Sequence, residues 1–140
     1  MICLLYIRLP HKEAPMRKAI LLIDHGSRLD EANQMLTQIA VLLQTQDPSL
    51  MVHIAHMELA EPDIAAGIQA CVDDGATHIV AHPYMLAPGR HAVQDIPTMV
   101  KAAAKQHPHV QVHVSEPLGA HPLMAQVILD RCTPLLSADT

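Results

Sequence analysis

The chain has 140 residues, 50% of them hydrophobic and 16% charged, with a formal net charge of -5. That is one domain's length with enough apolar material for a sizeable core, which excludes intrinsic disorder. Nine Lys and Arg against fourteen Asp and Glu, with no Trp or Phe, supply neither a basic face nor a set of stacking rings, which argues against nucleic-acid binding.

Residues 1–16 read as an N-terminal extension outside the core; the alternative is an extra strand over Ile2–Arg8. Met16-Arg17-Lys18 is a short charged lead into a buried strand, Ala19–Ile23. Ala32, Met35, Leu36, Ile39, Leu42 and Leu43 recur at helical spacing and predict an amphipathic helix that ends at Asp47-Pro48. Met51–Ala55 is a second strand. Pro62 is expected to open the next helix at its first turn, with Ile64, Ile68, Cys71 and Val72 inside and Gly75 as the C-terminal cap.

His78–His82 is a third strand, followed by the loop Pro83–Arg90. Val93, Ile96, Met99, Val100 and Ala103 mark a third helix. Val110–Val114 alternates apolar and polar residues, as an edge strand does. Pro122 opens a last helix with Leu123, Val127 and Ile128 expected inside. Four β-α units predict an open four-stranded parallel sheet of order 2-1-3-4 with helices on both faces, in one α/β domain over residues 17–136, with 137–140 as a tail.

The longest apolar runs, Met1–Ile7 and Ala19–Ile23, fall far short of the ~20 residues that a membrane helix needs, so no membrane association is expected. Met1–Ile7 does not read as a secretory signal, because Arg8 and Lys12 follow it and Pro10 and Pro15 break it up. Cys3, Cys71 and Cys132 form no C-x-x-C pair and, being odd in number, no complete disulfide framework. Plain thiols and a cytoplasmic protein are the expectation.

In an open parallel sheet, ligands bind beyond the carboxyl ends of the strands where the strand order reverses. Here that point lies between the first and third strands, and it gathers Asp24-His25-Gly26-Ser27-Arg28 with the segment Pro83–His91. The loop after the second strand adds Glu58 and Glu61. Two imidazoles and a carboxylate thus converge by topology, although Glu58 and His91 follow His25 by 33 and 66 residues. Such a set is a divalent-metal site with open positions, or equally an acid/base set for proton transfer near neutral pH.

The pattern strand–D-H-G-S-R, then M-E-L-A-E-P-D-I, then P-Y-M-L-A-P-G-R-H-A-V-Q-D-I-P, then S-E-P-L-G-A-H-P resembles the small sirohydrochlorin chelatases of the CbiX/SirB type, from about Ala19 to Arg131. The resemblance implies a class II chelatase fold as a single half-size unit that works as a homodimer. It also implies ATP-independent insertion of a divalent metal into sirohydrochlorin, as a lyase of cobalamin or sirohaem biosynthesis. Co²⁺ is favoured, with Fe²⁺ or Ni²⁺ as alternatives, and no cofactor is implied beyond that substrate ion.

By the same resemblance, His25 and His91 are the metal-binding histidines, and His25 is also the proton acceptor. Glu58 is the acidic catalytic residue beside the metal. Glu61 and the segment Leu86, Ala87, Pro88, Gly89, Arg90 match stretches that touch the tetrapyrrole. Arg28 and Arg90 suit its rim carboxylates, and Ser27, Gly26 and Gly89 offer backbone N–H groups near a helix start. With no Trp or Phe, the seat for the flat ring should be aliphatic: Leu86, Met85 and Ala87, with Tyr84.

The same residues have plainer readings. Arg28 and Arg90 could form surface ion pairs with Asp24, Asp30 or Asp95, and Glu58 could brace a loop. His53, His78, His82 and His113 read as strand residues, His107 and His109 lie in a polar turn, and the methionines read as packing. Two rival functions stand beside the chelatase. A non-catalytic Co/Ni metallochaperone would use the same two histidines. A histidine phosphatase would need R-H-G after its first strand, whereas Asp24 precedes His25 here and would repel a phosphate.

Overall fold

The structure, a computed structural model, describes residues 14–138. The suggested Ile2–Arg8 strand and Cys3 lie outside the described residues. In chain order the elements are β1 (Lys18–Asp24), α1 (Asp30–Gln46), β2 (Met51–His56), α2 (Ile64–Asp73), β3 (His78–Pro83), α3 (Ile96–Ala104), β4 (Gln111–Val114) and α4 (Pro122–Leu136). A single π-helical turn, His91–Asp95, leads directly into α3.

The four strands form one parallel sheet in the order β2-β1-β3-β4, as the alternation of short apolar runs and helical periods predicts. A first crossover in one direction and the next two in the other, all right-handed, put α1 on one face and α2 and α3 on the other. Leu21, Ile23, Ala55, Ile79 and Ala81 fill the face under α2 and α3 together with Ile64, Ile68, Ile96 and Val100. Leu22 and Val52 pack the opposite face against Leu36 and Ala40 of α1.

The helices differ from expectation in several ways. On α1 only Leu36 and Ala40 are buried, with Ile39 and Leu43 half-buried, while Ala32, Met35 and Leu42 are exposed. Met35 and Leu42 lie roughly 100° around the helix from the buried row, and Ala32 sits in the first turn, beyond the sheet. Pro62 does not occupy the first turn of α2. Its carbonyl accepts the His56 N–H at 2.8 Å and so prolongs the end of β2; Asp63 is the cap, its carboxylate accepting the Ala66 N–H at 2.8 Å. Gly75, at φ +87°, ends α2 as expected: its N–H reaches Val72 O and the Ala76 N–H reaches Cys71 O.

Before α3, the Ile96 N–H bonds to His91 O, one residue further back than in an α-helix. The extra residue in that turn rotates Val93 to solvent and turns Ala92 inward. The largest departure is α4. Leu123, Val127 and Ile128 are all exposed, and no residue of the helix is buried. Among the described residues no strand follows α4, so no crossover forces it down onto the sheet.

Candidate active site

β1 and β3 lie side by side in the sheet, and the site is built on what leaves their carboxyl ends. The chain turns sharply after Asp24 because Gly26 adopts φ +88°. A Cβ there would stand 1.8 Å from the Glu58 carbonyl oxygen. Glycine is therefore what lets the loop after β2 close onto the loop after β1. Two backbone bonds complete that closure, from Met57 N–H to Asp24 O at 2.9 Å and from Glu58 N–H to His25 O at 3.1 Å. Ser27 is pinned from both sides by Asn33, whose Oδ1 accepts the Ser27 N–H and whose Nδ2 donates to Ser27 O. Tyr84 is tied back to β1 through its N–H to Ile23 O at 2.7 Å.

These constraints bring His25, Glu58 and His91 together. The two imidazole rings meet edge to face, with centroids 4.9 Å apart and planes at 79°. His25 Nε2 lies 3.3 Å from Glu58 Oε1. His91 Nδ1 lies 2.8 Å from Asp95 Oδ2, one turn further along the π-helical segment. A carboxylate can only accept, so Asp95 holds the proton on His91 Nδ1 and leaves the Nε2 lone pair for an electrophile. All four side chains are part-exposed, and Glu58, His91 and Asp95 line one open depression. Among the described residues no three His, Cys, Asp or Glu side chains are grouped so as to hold a metal ion.

A family model described as CbiX matches residues 19–135. The chain belongs to the CbiX family. The sirohydrochlorin ferrochelatase of Arabidopsis thaliana chloroplasts is 40% identical to this CbiX chain over 118 residues, covering 84% of this chain and 52% of that protein. The sirohydrochlorin cobaltochelatase of Methanopyrus kandleri is 29% identical over 141 residues, covering 86% of this chain and 99% of that protein. The solved structure of SirB from Bacillus subtilis with Fe³⁺ superposes with a TM-score of 0.79 at 31% identity, over 89% of this chain and 49% of that one. The chain thus spans about half the length of several curated relatives it matches, and nearly all of others.

The remaining residues singled out in the sequence fall around the two histidines in this CbiX chain. Ser27, Arg28 and Glu61 line a neighbouring depression together with Leu59 and His56. Leu86, Ala87, Pro88, Gly89 and Arg90 form an exposed loop leading into His91. Neither Arg28 nor Arg90 makes an ion pair among the described residues. Two of the carboxylates considered for them are engaged by histidines instead, Asp95 by His91 and Asp24 by His56.

Sequence reasoning overlooked two of these contacts. Asp95 stands four residues after His91, a spacing that brings side chains together on a helix and was the available signal. His56 is 1% exposed and bonds Asp24 Oδ1 through Nδ1 at 2.6 Å. These two residues are direct register partners on β1 and β2. That contact emerges only once β2 is seen to run one residue past Ala55.

Proposed function

We propose that this chain inserts a divalent metal into sirohydrochlorin without ATP, with Co²⁺ favoured and Fe²⁺ or Ni²⁺ accepted. The observation that carries the reading is the meeting of His25 and His91 at 4.9 Å, with Glu58 at 3.3 Å from His25, from loops far apart in the chain. The names of the relatives, which include both ferrochelatases and cobaltochelatases acting on sirohydrochlorin, support the substrate.

Insertion exchanges one M²⁺ for the two N–H protons of the macrocycle. A loosely held ion is required, since a closed four-ligand cage would retain it. In this proposal His25 and His91 share the ion on one face of the ring. As the ion passes to the ring nitrogens, the freed lone pair of His25 takes one pyrrole proton and hands it to Glu58 and solvent, and the second proton leaves by the same route. Arg28 and Arg90 pair with rim carboxylates, and Ser27, Glu61 and the Leu86–Arg90 loop line the ring. The working unit is residues 17–136, assembled as a homodimer because one half-length unit leaves the site open on one side. The free thiols Cys71 and Cys132 suit the reducing cytoplasm.

Anaerobic absorption spectroscopy of sirohydrochlorin with each metal tests the reading. The expected result is insertion faster than the protein-free rate, lost in His25→Ala and in His91→Ala. No acceleration with any of the three metals refutes it. Metal binding without insertion would establish a metallochaperone in its place.

A further inference from the structure

The loop after β2, residues 57–62, is held on both sides of its turn. The His56 N–H to Pro62 O bond at 2.8 Å closes its neck, and the Met57 and Glu58 N–H groups fix its first half to Asp24 O and His25 O. The peptide that follows Glu58 lies against Gly26, whose missing Cβ leaves room for Glu58 O. Beyond the turn, Glu61 Oε2 accepts the Asp63 N–H at 3.2 Å. Between these fixed points Leu59 takes φ +66°, the sole non-glycine residue with a positive φ among the described residues.

Leucine is a poor choice there on both local grounds. A side chain with a Cβ strains the left-handed region, which glycine occupies freely and asparagine tolerates. Burial does not compensate, because Leu59 is 54% exposed. A strained residue that its surroundings over-determine, with an apolar side chain left in water, marks a position kept for a contact outside the chain.

The turn also divides two neighbours. Glu58, with Oε1 3.3 Å from His25 Nε2, lines the depression of His91 and Asp95. Leu59, the next residue, lines the other depression, of about 340 Å³, with Ser27, Arg28, Asp30 and Glu61. Arg28 is exposed and makes no ion pair among the described residues, so that depression offers an apolar group beside a free guanidinium. Of its two carboxylates, Glu61 is engaged by the Asp63 N–H and Asp30 lies in the first turn of α1.

We propose that Leu59 is a substrate-binding residue: it covers one pyrrole edge of the macrocycle whose carboxylate arm pairs with Arg28, and so seats that edge in the second depression, away from Glu58. This rests on the sirohydrochlorin reading above and adds a residue to it. A ring edge of that substrate is an apolar pyrrole bearing an anionic arm, and the leucine and the arginine together are its complement. Glu58 stays free on the other side for the protons leaving the ring. The strained turn lets two adjacent residues serve two sides of one site.

The test uses the full chain and two variants. Leu59→Asn removes the apolar contact while suiting the left-handed backbone, and Leu59→Met keeps an apolar side chain of similar size. Metal-free sirohydrochlorin is titrated into each protein and followed by its absorption, Co²⁺ binding is measured by calorimetry, and urea unfolding monitors the fold. Covering the exposed half of a leucine is worth about four- to fifteenfold in affinity, so Leu59→Asn should bind sirohydrochlorin that much more weakly. Its Co²⁺ affinity and urea midpoint should match those of the unaltered chain, and Leu59→Met should bind sirohydrochlorin as the unaltered chain does. In turnover the loss should fall on KM and leave kcat in place. Unchanged sirohydrochlorin affinity in Leu59→Asn overturns the proposal. So does a joint fall in Co²⁺ affinity and kcat, which would make Leu59 a prop for Glu58 and His25. An unaltered chain that neither binds the tetrapyrrole nor inserts metal overturns the sirohydrochlorin reading as well.

Discussion

Replacing Gly26 by alanine tests whether the site depends on the close approach of two loops. The new Cβ would enter a backbone at φ +88°, which costs an L-residue about 1–2 kcal/mol. It would also stand 1.8 Å from Glu58 O, a backbone atom with no rotamer by which to yield. Relieving that clash means moving the Glu58 segment and giving up the Met57–Asp24 and Glu58–His25 backbone bonds, each worth about 1 kcal/mol. The expected destabilisation is roughly 3–4 kcal/mol, a large share of the 5–15 kcal/mol typical of a domain. Equilibrium urea unfolding should show the midpoint falling by at least about 1 M. Gly89→Ala is the stability control, because nothing lies within 4 Å of a Cβ built there. Metal insertion by Gly26→Ala, measured where the protein is still folded, should drop as well, because Glu58 no longer stands beside His25. A stability change below about 1 kcal/mol would refute the argument, since neither the strain nor the clash would then be real.

Asp95→Ala should weaken Co²⁺ binding by about 10–100-fold in calorimetric titration, because His91 loses the carboxylate that sets its tautomer and orientation; unchanged affinity would remove Asp95 from the site. Asp24→Ala should destabilise the fold by roughly 1–3 kcal/mol by leaving the buried His56 ring without its partner, and adding His56→Leu should recover much of that loss. A double variant no more stable than the single one in thermal melts would contradict this. Burial holds His82 below the ordinary imidazole value of 6.5. The unfolded chain therefore binds this proton more readily, and the stability that His82 leaves intact above 6.5 is lost as pH falls through that value toward the lower folded one. His82→Gln should flatten the fall in unfolding midpoint between about pH 7 and about pH 5; identical slopes in the two proteins would count against it.

The sheet order was legible because three of the four strands carry near-continuous apolar runs and the fourth alternates, which places it at the edge. The exposure of α4 was not legible. Periodicity reports that Leu123, Val127 and Ile128 want burial but is silent on whether their partner lies in the same chain. In α1 the hydrophobic pattern was broader than the buried stripe, since Met35 and Leu42 add apolar surface that no second layer covers among the described residues. The arginine ion pairs were plausible from spacing alone. They are absent among the described residues, where histidines engage Asp24 and Asp95 instead.

Eleven histidines invite a metal reading, and a neighbouring carboxylate does not narrow the choice, since His25, His53, His56 and His91 all have one. Burial and convergence do. His56 is 1% exposed and its Nδ1 is taken by Asp24. His53 pairs with Asp74, at the end of α2 away from the switch point. Of the four, only His25 and His91 stand at the mouth of the crevice with their rings in contact. The scarcity of aromatic rings bears on the same place. Met85 is half-buried against the core and, with Tyr84, lines the depression next to His25, while Leu86, 68% exposed, and Ala87 follow in the exposed loop; on the proposed reading these are the aliphatic candidates for a flat macrocycle. On the proposed reading, a seat without stacking rings would hold the macrocycle by aliphatic contact alone, as two imidazoles would hold the ion without a closed cage.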